Sequence, residues 1–161
     1  MPREEERPVQ QSVLDRVTGP DTDGTGLTRM QSVRELRASV RRDLEWLLNT
    51  RAVAIPPPEP LTELRKSVYT YGLSDITSFS ADDPKSRIRL RHMIEEAIAQ
   101  FEPRLTGVQV SDVAITSKEL RQLRFSIQAL LRMDPSPERV SFDTVLDIAS
   151  GAYVVRGEAG A

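Results

Sequence analysis

The residues best suited to chemistry stand together at the end of a predicted helix, where Glu102, Pro103 and Arg104 follow one another. A carboxyl such as Glu102 can serve as the acid of a glycoside hydrolase, which ordinarily needs a second carboxyl across the bond. The sequence pairs no carboxyl with Glu102, although it offers Glu95, Glu96, Asp112 and Asp143. Arg104 would also favour the charged carboxylate, whereas an acid catalyst has to carry a proton. Catalysis is therefore the weaker interpretation of this motif.

The same three residues can instead form a rigid contact point for another protein. A helix that ends at Phe101 and meets Pro103 at once must turn stiffly, because proline fixes its own backbone and lacks an amide donor. Arg104 would then present a planar guanidinium, which binds carboxylates through two parallel hydrogen bonds. The alternative is local, with Glu102 and Arg104 satisfying the carbonyls at the helix end or each other. The residues alone leave both interpretations open.

Composition removes several other kinds of site. The chain has no cysteine and a single histidine, His92, which excludes thiolate chemistry and zinc sites of the Cys-His kind. A calcium loop fails because Asp21, Asp23 and Gly26 fit an EF-hand pattern whose last ligand position holds Ser32 instead of glutamate. The formal net charge of -2 gives no general attraction to nucleic acid or anionic lipid. We expect no cofactor, metal, nucleic acid or small-molecule substrate.

The 161 residues suggest one compact domain with a short extension at each end. Residues 1–27 are polar and rich in glycine and proline, which predicts a flexible segment with a short docking helix at 12–17. The main domain is expected over 28–156, and a disordered tail over 157–161. The N-terminus lacks the apolar core of a signal peptide, and no run of about 18 apolar residues could span a membrane. We therefore expect a cytoplasmic protein without membrane insertion.

Two amphipathic helices are predicted in the first two-thirds of the chain. Apolar residues recur every three or four positions over 31–49 and again over 86–101. In the first helix we expect Trp46 in the core and a solvated face that carries Arg34, Arg37, Arg41 and Arg42. In the second helix His92 lies off the apolar stripe, which is formed by Ile88, Arg91, Ile94, Ala97, Ile98 and Phe101.

The segment between the two helices is predicted to begin as an extended spacer, because residues 54–60 are rich in proline. A short helix should follow. Thr62 is its possible N-terminal cap, and Gly72 stands where a left-handed residue commonly ends a helix.

The apolar pattern changes from helical to alternating beyond Pro103. A one-residue slip at Asp112 predicts a bulge or two short strands. Residues 123–131 alternate cleanly, and 140–146 add at least one more strand, with Gly151 allowing a break after it. Helices followed by strands predict an α+β fold, with N-terminal helices packed on a small C-terminal antiparallel β-sheet.

Five segments together resemble the TssE family, the baseplate subunit of the type VI secretion system. They are "RDLEWLLNTR" (42–51), "SVYTYGLSDI" (67–76), "FEPRL" (101–105), "LRFSIQALL" (123–131) and "FDTVLDIASGAY" (142–153). TssE is similar to the wedge protein of contractile-phage baseplates, in a family historically labelled lysozyme-like. The resemblance runs in order over roughly residues 12–155, and it associates the Glu-Pro-Arg motif with assembly instead of turnover.

The resemblance implies a structural baseplate component that joins wedge subunits and templates the first ring of the sheath. It implies a cytoplasmic location, within a baseplate docked at the inner-membrane complex. The implied partners are the wedge subunits TssF, TssG and TssK and the sheath subunits, which would add strands to an edge of the C-terminal sheet. The expected contact residues are Glu102, Pro103, Arg104, Phe142, Asp143 and Tyr153. A peptidoglycan-cleaving muramidase and a wedge component of another phage-tail-like contractile particle remain the alternatives.

Overall fold

The chain folds into two long helices, a loop-rich connection between them and a C-terminal antiparallel sheet. The computed structural model describes residues 17, 29–76, 79–80, 83–111, 114–117, 122–134 and 136–157, with the backbone alone at 29–32 and 114–117. The helices are α1, Arg29–Asn49, and α2, Pro84–Phe101. The strands are β1, Leu105–Val110, β2, Ala114–Ser117, β3, Gln122–Leu131, β4, Glu138–Asp147, and β5, Ala152–Gly157. The predicted α+β fold is confirmed.

The predicted extensions at the two ends lie largely outside the described residues. Of the N-terminal docking helix only Val17 is described, and it is helical. Gly157, the first residue of the predicted tail, is the last residue of β5.

α1 forms as predicted because its apolar residues make one continuous stripe. The buried members of that stripe are Leu36, Val40, Leu44, Leu47 and Leu48. Trp46 is 51% exposed, so the prediction that it lies in the core is wrong. Its position places it on the helix face opposite the buried leucines. There the guanidinium of Arg42 lies 5.2 Å from the centroid of the ring, a cation–π contact.

α2 begins two residues before the predicted start, at a local capping motif. The carboxylate of Asp83 accepts hydrogen bonds from the amides of Lys85 and Ser86 at 3.1 and 3.0 Å, and Pro84 occupies the first turn. Ile88 is 49% exposed, so its predicted place on the buried stripe is wrong. The face that packs on the core is rotated slightly, and its buried residues are Leu90, Ile94, Ala97 and Ile98.

The connection between the helices contains two short 3-10 helices, Thr62–Lys66 and Val68–Thr70, where one short helix was predicted. Thr62 is the first residue of its helix and does not cap it. Gly72 has a φ of 114°, and a Cβ at this position would lie 2.4 Å from the carbonyl oxygen of Thr50. Only glycine fits this close approach, which is closed by a 2.8 Å hydrogen bond from the Leu73 amide to that same oxygen.

The sheet has the strand order β1-β3-β4-β5, and β2 also pairs with β3. β1 and β2 therefore follow one another along the same edge of β3, so of the two alternatives predicted for the slip at Asp112 the structure has the two short strands. β4 runs antiparallel to β3 with Leu131 opposite Glu138, and β5 returns from Gly151 with Gly157 opposite Phe142. β5 is shorter than β4, so the first residues of β4 have no neighbour on the β5 side within the described chain.

Both helices cover one face of this sheet. α1 packs against β5, α2 packs against β1, and the two helices touch each other. On β3 and β4 the alternation is as predicted, and the helix-facing side chains are all buried: Leu123, Phe125, Ile127, Ala129, Leu131, Val140, Phe142, Thr144 and Leu146. Across the described ranges, no helix is long and apolar enough to cross a membrane.

Candidate functional site

The Glu-Pro-Arg motif forms the turn between α2 and β1, and α1 passes directly beside it. α2 ends at Phe101 because Pro103 cannot continue the helix, and Arg104 leads into β1. α1 supplies Ser39 and Asp43, which share one face because residues four apart on a helix are neighbours. We call Ser39, Asp43, Glu102 and Arg104 the Arg104 cluster.

The guanidinium of Arg104 uses all three of its nitrogens within this cluster. Its Nε and Nη2 donate to the two carboxylate oxygens of Glu102, at 2.6 and 2.5 Å. Nη2 also donates to Oδ2 of Asp43 at 2.5 Å, and Nη1 donates to Oγ of Ser39 at 3.2 Å. Bidentate pairing of this kind is among the stronger polar interactions in proteins. The cluster therefore joins α1 to the entry of the sheet.

The surroundings keep Arg104 charged. Burial opposes the positive charge, but the hydrogen bonds and negative charges of Glu102 and Asp43 outweigh it and raise the pKa of the guanidinium further above its ordinary value. The effect extends to Tyr71, whose pKa is raised by burial and by the charges of Asp43 and Glu102. Tyr71 also packs edge-on against Phe101, with the ring centroids 5.2 Å apart. The cluster is thus a packed ionic contact with an aromatic border.

These contacts fit the local alternative for the motif, in which Glu102 and Arg104 satisfy each other. Glu102 is 4% exposed, and the side chain of Arg104 is 23% exposed. Pro103 is exposed at the tip of the turn. A partner could therefore reach Pro103 and the outer side of Arg104, whereas Glu102 acts from inside the protein. Partner binding by this turn stays a prediction.

The carboxyls considered as catalytic partners do not gather around Glu102. Glu95 accepts a hydrogen bond from the Val110 amide at 2.9 Å and pairs with His92, while Glu96 and Asp143 are exposed elsewhere. Asp112 lies outside the described residues. The carboxyl that does approach Glu102 is Asp43, and the guanidinium of Arg104 lies between the two. No group of three metal-ligating side chains occurs in the part of the chain that the structure describes.

The outer edge of β5 is partly closed by α1. Oδ1 of Asn49 accepts from the Tyr153 amide at 2.9 Å, and Nδ2 of Asn49 donates to the Tyr153 carbonyl at 2.8 Å. One side chain thus makes the two bonds that a neighbouring strand would make. Further along, Nη1 of Arg41 lies 3.4 Å from the carbonyl oxygen of Val155. Asn49, like Ser39 and Asp43, was not among the residues that the sequence suggested.

The three predicted contact residues on the strands are not brought together with the Arg104 cluster. Phe142 and Tyr153 are 3% and 4% exposed, with their rings in the core, and Phe125 and Tyr153 pack edge-on. Asp143 is exposed on the sheet face away from the helices. Tyr153 can affect a partner only through the strand that carries it, and the predicted contact roles of both aromatic residues are untested.

The fold is a small α+β domain in which two helices and an ionic cluster hold one face of an antiparallel sheet. The chain belongs to the family of the baseplate wedge protein gp25, because that family model matches residues 34–136. The match contains the whole Arg104 cluster and ends before β4. No curated protein matches the chain. The protein is therefore a member of a family of structural, phage-tail-like baseplate components, which confirms the expected resemblance.

Proposed function

We propose that the protein is a structural baseplate component of a type VI secretion system, which joins wedge subunits and templates sheath assembly. The observation that carries this proposal is membership of the baseplate wedge family over residues 34–136. The five segments that resemble TssE favour the secretion system over other contractile particles. In this role the protein works in the cytoplasm, in a baseplate docked at the inner-membrane complex.

The Arg104 cluster would serve this role by making the turn after α2 rigid. Its charged bonds fix the position of Pro103 and of the exposed side of Arg104 relative to both α1 and the sheet. A contact point that is already ordered loses little conformational entropy when a partner binds. We assign this turn to the other wedge subunits, TssF, TssG and TssK.

The sheath subunits would bind the C-terminal sheet, by adding strands to one of its edges. Deletion of residues 142–155, which removes most of β4 and all of β5 but its last two residues, should therefore abolish sheath recruitment. Such a deletion also removes buried residues from the core. Loss of sheath recruitment therefore supports the proposal only if the remaining chain is folded.

We infer that the protein is not a muramidase. In the usual mechanism, an acid gives its proton to the glycosidic oxygen while a second carboxyl acts from the other side of the bond. Here both oxygens of Glu102 accept hydrogen bonds from Arg104, and Asp43 shares the same guanidinium. Arg104 fills the place between the carboxyls where a glycoside would have to lie. This arrangement supports a structural role.

The test is a capture experiment with the intact protein and four single variants. Wild type should retain wedge and sheath subunits, and neither it nor any variant should release sugar from peptidoglycan. Pro103→Ala and Arg104→Lys probe the turn, and Arg89→Glu is an exposed control on α2. The proposal expects weaker wedge capture by the first two variants, provided that circular dichroism and thermal melts show them folded. Sugar release that disappears in Glu102→Gln, without partner capture, would instead establish a hydrolase.

A further inference from the structure

A groove opens where β5 ends and β4 continues with β3 as its one neighbouring strand among the described residues. β5 stops at Gly157, opposite Phe142, whereas β4 begins four residues earlier, at Glu138. Beside this stretch, residues of α1 and of β4 line a cavity of about 890 Å³. Its apolar lining residues are Val33 and Ala38 on α1, Met133 and Pro137 before β4, and Val140 and Phe142 on β4. We call this the strand groove.

The backbone of β4 offers hydrogen-bonding groups to the strand groove. Asn49 binds both backbone groups of Tyr153, so these groups point away from β4. Tyr153 is opposite Leu146, and the direction of backbone groups alternates along an antiparallel strand. By this alternation Ser141 and Arg139 direct their N–H and C=O groups toward the β5 side. Within the described residues β5 does not reach these two positions, so their backbone groups face the strand groove.

The α1 wall of the strand groove is positively charged. Arg34, Arg37 and Arg41 all line it, against the single carboxylate of Glu138. Arg37 pairs with Glu138 through Nη2 at 2.6 Å. Its Nε is buried and has no hydrogen-bond partner among the described residues.

We propose that the strand groove binds an extended, acidic segment of a partner protein, which pairs with β4 in line with β5. The stretch of β4 before Phe142 runs from Glu138 to Ser141, so about four residues of an added strand would pair with it. Carboxylates at alternate positions would face α1 and meet its arginines, while the backbone pairs with Arg139 and Ser141. The charge of the wall selects an acidic segment. This inference rests on the proposed function, because it gives the site and chemistry of one strand-adding contact.

The first test uses a synthetic peptide with the sequence Thr-Glu-Val-Glu-Thr-Glu-Val and a counterpart in which lysine replaces each glutamate. Fluorescence anisotropy measures binding to the intact protein, and NMR amide shifts locate it. We expect the acidic peptide to bind and to shift the amides of Arg139, Ser141 and Gly157. The Arg34→Glu variant should weaken binding about ten-fold, because it places a like charge against the peptide. Arg89→Glu, on α2, should leave binding unchanged.

A second pair of variants tests the backbone contact. Arg139→Pro removes the N–H that faces the strand groove but no bond to β3, and proline is tolerated at such edge positions. Arg139→Ala removes the same side chain and keeps the N–H. We expect the alanine variant to bind the acidic peptide at least about five-fold more tightly than the proline variant. Equal affinities, or equal binding of the lysine peptide, would overturn the proposal.

The chain's own last residues are the competing occupant. Residues 158–161 follow Gly157 in the sequence and lie outside the described residues. If the acidic peptide binds only after residues 158–161 are removed, the groove belongs to that segment and the proposal is wrong. Capture of sheath and wedge subunits separates this result from the proposed function. Normal capture of sheath and wedge subunits by Arg139→Pro would contradict the proposal for the strand groove and leave the proposed baseplate role standing. Binding of the acidic peptide by a wild-type protein that captures no subunits would contradict the baseplate role and leave the strand groove standing.

Discussion

Two arginine sites flank α1, and they differ in how far their charges are satisfied. In the Arg104 cluster the guanidinium meets two carboxylates and a hydroxyl, and its partner Glu102 has a side chain that is 6% exposed. In the strand groove Arg37 meets one carboxylate, and the two side chains are 33% and 39% exposed. A satisfied and buried ion pair fixes structure, whereas a partly satisfied one at an open groove leaves binding capacity. Arginine therefore has two different roles at the two sites beside α1.

The largest expected effect is at the Arg104 cluster. Arg104→Met should reduce the free energy of unfolding by about 3 kcal/mol, because it leaves Glu102 buried without its cation. Arg37→Met should cost only about 0.5 kcal/mol, because both members of its pair are partly solvated. Urea denaturation followed by circular dichroism measures both values.

The double variant Glu102→Gln/Arg104→Met is the control for this explanation. Removing both charges should recover part of the loss, since no unpaired carboxylate then remains. Similar losses in Arg104→Met and Arg37→Met would contradict the contrast between the two sites.

The next largest effect is at the contact between Gly72, in the connection between the helices, and Thr50, which follows α1. Gly72→Ala should cost about 2 kcal/mol, because Gly72 has a φ of 114° and a Cβ there would collide with the Thr50 carbonyl. Gly107→Ala is the matched control: it also replaces a positive-φ glycine, but a Cβ there meets nothing within 4 Å. It should cost about 1 kcal/mol, from the backbone conformation alone. Equal losses would show that the contact with Thr50 has no energetic weight.

A smaller effect tests which residues of α1 cover the outer edge of β5. Asn49→Ala should cost about 1.5 kcal/mol, because it removes two hydrogen bonds to the backbone of Tyr153. Arg41→Ala, which removes one bond of 3.4 Å to Val155, should cost about 0.5 kcal/mol. Hydrogen exchange at the Tyr153 amide should accelerate in the first variant alone. Faster exchange of the Tyr153 amide in Arg41→Ala would show that Asn49 alone does not protect this edge of β5.

The sequence predicted the elements whose periodicity is strong. β3 and β4 follow their alternation residue by residue, and the slip at Asp112 correctly separated β1 from β2. Trp46 was wrongly expected in the core because its apolar character was weighed above its angular position on α1. The short helix predicted after the proline run is two 3-10 helices, and the contact of Gly72 with Thr50 just beyond them joins residues far apart in sequence, which no local pattern reveals.

The candidate site could be predicted only in part, for a related reason. Glu102 and Arg104 are adjacent in sequence, so their mutual bonds were one of the two alternatives kept. Asp43 and Ser39 complete the cluster from another helix, and a single sequence does not show which distant polar residues meet. Their spacing of four on α1 was the available signal. The sequence did not indicate the role of Asn49, because a polar side chain at a helix end usually hydrogen-bonds to the backbone of that same end.

The last expected effect has the opposite sign and lies in the core beneath the Asn49 contact. The hydroxyl of Tyr153 is buried and has no hydrogen-bond partner among the described residues. Tyr153→Phe should therefore raise the free energy of unfolding, by up to about 1 kcal/mol at neutral pH. Burial also raises the pKa of Tyr153 above its ordinary value of 10.0.

The raised pKa sets the direction of the pH dependence. A folded state that keeps its proton longer than the unfolded state loses stability as the pH rises above about 10. The phenylalanine variant has no such group at this position. Its advantage over wild type should therefore grow between about pH 9 and pH 11. Tyr71→Phe tests the same principle beside the Arg104 cluster, where carboxylates also raise the pKa of the phenol. A stability difference for Tyr153→Phe that stays constant over this range would show that its hydroxyl is solvated in the folded protein.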